Sequence, residues 1–111
     1  MTKSIIQDPT DRTCWACGST LNLHRHHCIY GITNRHKAEA DGLWVYLCFE
    51  HHEGPINGVH GRNYRLNKIL HVEAQKAYER KYGHEAYMKR YHVNYLEEDE
   101  WQLRTGKKRN S

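Results

Sequence analysis

Two half-sites of matched spacing, Cys14-Trp15-Ala16-Cys17 and Cys48-Phe49-Glu50-His51, constrain this chain of 111 residues more than any other feature. A domain of that length buries only a modest core and often adds a metal or disulfide staple. The first half-site is a C-x-x-C turn, which folds both thiolates onto one ion, and Gly18 permits the tight return of the chain. One such turn is half a site. The second, of equal spacing, completes a set of three cysteines and one histidine, Cys14, Cys17, Cys48 and His51, a closed tetrahedral combination that suits structural zinc. His52 is the alternative fourth ligand. A redox role for the first pair would call for a βαβ context, which is missing here. Cys28 lies outside both half-sites and reads as a small apolar strand residue.

Composition bounds the class. With 38% hydrophobic and 27% charged residues the chain reads as one soluble domain. No apolar run is long enough to span a bilayer, so no membrane partner is expected. The start, from Met1 to Asp8, meets charge too early for a secretory signal, and the expected compartment is reducing cytoplasm, where cysteines stay thiols. A formal charge of +4 favours a polyanionic partner. Residues 1–12 lack periodicity and read as a leader, 13–96 as the domain, and 97–111 as a charged tail expected to be disordered. The acidic run Glu97 to Glu100 and the basic Lys107 to Arg109 belong to that tail.

Alternation from Leu21 to Tyr30, ending at Gly31, predicts one strand, and the apolar Leu43 to Leu47, opened by Asp41-Gly42, predicts a second that pairs with it antiparallel. Residues 32–41 between them are polar enough for a loop or a short helical turn. After Gly54-Pro55, the positions Leu66, Ile69, Leu70, Ala74, Ala77 and Tyr78 follow helical spacing and predict the main helix, stopping at Gly83. A shorter helix is expected from His84 or Glu85 to Tyr91, with Tyr87, Met88 and Tyr91 inward. The tyrosines at 78, 82, 87, 91 and 95 read as core packing rather than a base-stacking surface. The fold class is α+β.

Among ten histidines, His24, His36, His71, His84 and His92 read as ordinary surface or hydrogen-bonded residues. His26 and His27 differ because they are adjacent at a strand end, and His52 and His60 because they flank the Gly54-Pro55 turn. Phosphodiester hydrolysis needs a base to deprotonate water and a divalent cation to hold the phosphate. Imidazoles can do both. A strict strand sends His26 and His27 to opposite faces, so both serve one site only where the strand ends or bends.

Cys14-Trp15-Ala16-Cys17-Gly18, Leu23-His24-Arg25-His26-His27, Gly31-Ile32-Thr33-Asn34-Arg35, Leu47-Cys48-Phe49-Glu50-His51-His52 and Gly58-Val59-His60 together resemble the HNH endonucleases. The likeness is to the small zinc-bearing members of bacteriophages and prophages. The resemblance covers residues 14 to 60 and extends along the following helix through Gln75. It implies a ββα-metal (His-Me finger) core with a structural zinc knuckle and C-terminal helices, DNA as the partner, and host cytoplasm as the location of a phage-encoded chain. It places the general base on His27, with His26 and His60 as catalytic-metal ligands, His52 as a third and Asn63 as an outlying candidate. Mg2+ or a transition metal would fill that site. The family's base-orienting asparagine is absent before the second strand, leaving Asn34, or else Asn57, for that role. Arg35, Lys37, Arg62 and Arg65 would contact DNA phosphates. The competing expectation is a zinc-stapled nucleic-acid-binding or adaptor module without catalysis.

Overall fold

Strand β1 (Leu23–His27) and strand β2 (Trp44–Cys48) pair antiparallel, with Leu23 opposite Cys48, His26 opposite Val45 and His27 opposite Trp44. In this computed structural model residues 3–8, 10–29 and 31–96 are described, so the expected tail at 97–111 lies outside the described residues. The sequence Trp-Val-Tyr-Leu-Cys makes β2 a strong strand former, and Val45 and Leu47 are fully buried. By contrast β1 has one aliphatic residue and is held by its pairing. It is shorter than the alternation from Leu21 implied, because Asn22 takes a φ of 53° and breaks the extended run just ahead of Leu23.

The far edge of β2 is covered by the leader. Ser4 Oγ donates to the Trp44 carbonyl at 2.5 Å, Gln7 Oε1 accepts from the Tyr46 amide at 2.9 Å, and the Trp15 amide donates to the Tyr46 carbonyl at 2.8 Å. Gln7 Nε2 also reaches the Thr13 carbonyl at 2.7 Å. Residues 3–8 thus satisfy an edge that would otherwise present open backbone groups.

The link between the strands corrects the sequence expectation. Residues 32–41 form a ten-residue helix, α1 (Ile32–Asp41), not a loop or short turn. Its sequence offers little apolar face, with Ala38 fully buried, so periodicity could not announce it. Tertiary bonds hold it instead. Lys37 Nζ donates to the Arg90 carbonyl at 2.7 Å, and Asp41 Oδ2 accepts from both Arg90 Nε and the Tyr91 hydroxyl at 2.5 Å. Gly42, at a φ of 78°, closes the helix in the left-handed conformation, and a side chain there would strike the Lys3 carbonyl.

A single-turn helix α2 (Phe49–Glu53) follows β2 directly. Then come α3 (Tyr64–Tyr82) and α4 (His84–Tyr91), matching the helical spacing of the sequence. Asn63 sets the start of α3 by accepting from the Leu66 amide at 3.0 Å. Leu66, Leu70, Ala74 and Tyr78 of α3 join Tyr87 and Tyr91 of α4 around Cys28, Ile29, Leu43, Val45 and Leu47 in one core. Buried Cys28 is the small apolar residue expected of it. The tyrosine stripe is core for Tyr78, Tyr87 and Tyr91, whose ring centroids lie 5.2 to 6.0 Å apart. Tyr82, on the last turn of α3, is exposed, and Tyr95 stacks on His71 at 4.2 Å.

His71 Nδ1–H donates to the Cys28 carbonyl at 2.7 Å. Burial holds this imidazole below its ordinary pKa, against the opposing pull of that hydrogen bond. A depressed pKa means that the unfolded chain binds the proton more readily, so this contribution to stability is full above about pH 6.5 and is lost as pH falls. His71→Gln keeps a donor for Cys28 but cannot titrate. The urea midpoint of this variant should therefore decline less than wild type between about pH 6.5 and about pH 5; equal slopes would show that His71 carries no such linkage.

Candidate metal centres and the histidine cavity

The first half-site is a tight turn. The Cys14 amide donates to the Ser19 carbonyl and the Gly18 amide to the Cys14 carbonyl, both at 2.8 Å, with Gly18 at a φ of 81°. Cys48 ends β2, and one turn of α2 returns His51 beside it. The sulfurs of Cys17 and Cys48 stand 3.9 Å apart, and His51 Nδ1 lies 3.9 Å from Cys14 Sγ and 3.3 Å from Cys48 Sγ. A tetrahedral ion at about 2.3 Å from sulfur and about 2.0 Å from nitrogen spaces its ligands about 3.5 to 3.8 Å apart. Cys14, Cys17, Cys48 and His51 are therefore positioned to bind one metal ion, with a donor set compatible with zinc. His51 occupies the fourth place and His52 belongs elsewhere.

His52 turns toward His26 and His60. Their ring centroids form a triangle with sides of 5.4 Å for His26 to His52, 5.5 Å for His26 to His60 and 4.8 Å for His52 to His60. One nitrogen from each lies within 4.8 Å of the others, a second group able to hold a metal. His60 arrives through backbone pairing: the Val59 amide donates to the His51 carbonyl at 2.9 Å and the His60 amide to the His52 carbonyl at 3.1 Å. His24, two residues before His26 on β1, places Nδ1 3.0 Å from His52 Nδ1. That bond engages one ring nitrogen of His52 and leaves Nε2 to ligate, the usual way an outer residue orients a metal-binding imidazole.

Burial pushes the pKa of His26 down to about 3, helped by the neighbouring His52 and His60. His52 is lowered for the same first reason, with His60 next. Neutral rings with free lone pairs are the form a metal requires.

His27 lies outside this triangle, as strand alternation demands, yet it is the last residue of β1 and still lines the adjoining cavity of about 650 Å³ with His26, His52 and His60. Arg25, Arg35 and His36 line it as well. His27 Nε2 is 2.7 Å from Glu39 Oε1, and Glu39 Oε2 is 2.5 Å from Arg25 Nη1. The Arg25 guanidinium sits 3.8 Å over the Trp44 ring.

Other expected site residues are placed elsewhere. Asn34 Nδ2 donates to the Tyr91 carbonyl at 3.4 Å and is absent from the cavity lining, so it does not meet His27. Asn57 donates to Glu50 at 2.6 Å, and Asn63 caps α3. Lys37 is directed to α4. Arg65 lines a separate groove on α3 with Tyr64, Lys68 and Lys76, while Arg62 lines neither. Of the four cationic residues expected near DNA, Arg35 alone borders the histidine cavity.

Glu39, His24 and His36 were missed. With 32–41 read as loop or turn, nothing put Glu39 near His27; in a helix it shares a face with Arg35, four residues earlier. Period-two alternation alone would have aligned His24 with His26. Comparison with protein-family models, curated proteins and solved structures gives no match. No helix among the described residues is long and apolar enough to cross a membrane.

The two groups separate by mutation. Protein purified without chelator should carry a tightly held transition metal that Cys17→Ala/Cys48→Ala abolishes and His52→Ala/His60→Ala retains, measured as metal per chain by mass spectrometry. Undiminished metal in the cysteine variant would show that the sulfurs do not bind it.

Proposed function

We propose that this chain is a metal-dependent DNA endonuclease with an HNH-type ββα-metal core, its sulfur-rich set holding structural zinc. The observation that carries the reading is the convergence of His26, His52 and His60 on one wall of a cavity that His27, Arg25 and Arg35 also line. A closed sulfur set has no coordination position left for chemistry. Three imidazoles leave one or more open, the arrangement of catalytic sites.

His27 takes a proton from water, and the resulting hydroxide attacks phosphorus in line with the departing 3' oxygen. His26, His52 and His60 would hold a divalent ion, which would supply Lewis acidity toward the phosphodiester, Mg2+ being the first expectation and Mn2+, Ni2+ or Zn2+ better suited to imidazole donors. Arg25 and Arg35 give the cavity a cationic lining that attracts a phosphate backbone, a contact that positions the duplex without reading its sequence.

Nicking of supercoiled plasmid with added divalent ions tests this directly. Wild type should cut and EDTA should stop it, while His27→Ala should lose roughly 10²- to 10⁴-fold in rate, the range for a general base, with its metal content unchanged. A wild type that binds DNA in a salt-dependent way but cuts under no divalent ion would instead make the chain a zinc-stapled binding module.

A further inference from the structure

We propose that Glu39 is the positioning residue for His27, selecting the ring tautomer in which Nε2 carries the proton and Nδ1 is the base. The inference rests on the reading of His27 as general base and assigns that site a residue from α1.

Glu39 Oε1 lies 2.7 Å from His27 Nε2 and Oε2 lies 2.5 Å from Arg25 Nη1. A guanidinium can only donate, so one carboxylate oxygen is committed to accept from Arg25. The other oxygen is then an acceptor as well, and His27 Nε2 must donate to it. In a neutral imidazole one nitrogen donates and the other accepts, which leaves Nδ1 with the lone pair.

The parts around this contact are held in place. Arg25 is sandwiched between Glu39 and the Trp44 ring, and its position on β1 is fixed by pairing with Tyr46. Helix α1 is anchored to α4 through Lys37 and Asp41 on one side and closed by Gly42 at its end. Glu39 is therefore presented to His27 by a rigid element, and its side chain is little more than a third exposed. A loop carboxylate free to turn would not discriminate between ring nitrogens.

The arrangement makes a sharp forecast for an isosteric change. In Glu39→Gln the single carbonyl oxygen is claimed by Arg25, so the amide NH2 faces His27. Nε2 must then accept, the ring proton moves to Nδ1, and the base nitrogen is blocked. A mere tie between α1 and β1 would weaken in this variant without moving that proton.

The test uses the full chain with its metal, in two arms. Ring-nitrogen NMR at about pH 8, where an ordinary imidazole is neutral, should show His27 with the proton on Nε2 in wild type and on Nδ1 in Glu39→Gln. In plasmid nicking, Glu39→Gln should lower kcat by roughly 10²-fold or more, as a wrong tautomer does in a histidine-based triad, with KM within about threefold and metal content and melting temperature close to wild type. Wild type protonated on Nδ1, a variant still protonated on Nε2, or an inverted tautomer with unchanged kcat would each overturn the assignment. The expected tautomers in a protein that cuts no DNA would uphold the positioning of His27 and sink the nuclease reading alone.

Discussion

One turn of helix, α2, holds the candidate chemistry of this molecule together. Its adjacent residues His51 and His52 leave the turn in different directions, one toward three cysteine sulfurs and the other toward two imidazoles. The carbonyls of the same two residues accept from Val59 and His60, so the turn also draws in the last member of the histidine triangle. Whatever fixes the sulfur set therefore fixes His52 and His60. The two groups are coupled through two peptide units, and a loose sulfur set would blur the geometry of the other site.

The two groups differ in character, and the difference follows from their surroundings. Three sulfurs and a nitrogen at tetrahedral spacing use up every position around an ion, leaving it a staple. The imidazole triangle faces a cavity and has His24 behind it, bonded to His52. Burial lowers the pKa of His26 and His52, so these two rings favour the neutral form that metal binding needs. His27, on the opposite side of the strand, stands apart from the triangle and is bonded to the Glu39 carboxylate.

Helix α1 ties the site to the rest of the fold. Its link to α4 runs through Lys37, Asp41, Arg90 and Tyr91, while its inner face carries Glu39 to His27 and Arg25. The same segment makes Asn34 an anchor to the Tyr91 carbonyl, removed from the cavity. A helix that looks like a polar connector is thus a spacer between the C-terminal helices and the histidines.

Much of this was legible in residue order. Matched C-x-x-C and C-x-x-H spacing brought out Cys14, Cys17, Cys48 and His51, because ligand spacing in a tight turn is a local property that sequence records directly. The strand pair, α3 and α4 were readable for the same reason: apolar period and glycine stops act over a few residues. Which nitrogen of which histidine faces which neighbour was not readable. The carboxylate beside His27, the departure of Asn34 toward α4 and the very existence of α1 all depend on contacts between segments far apart in the chain. Spacing along one segment determined the candidate ligands; only the packing of β1, α1 and α2 against one another decided their partners, because a hydrogen bond needs an ångström-scale distance that no local pattern encodes.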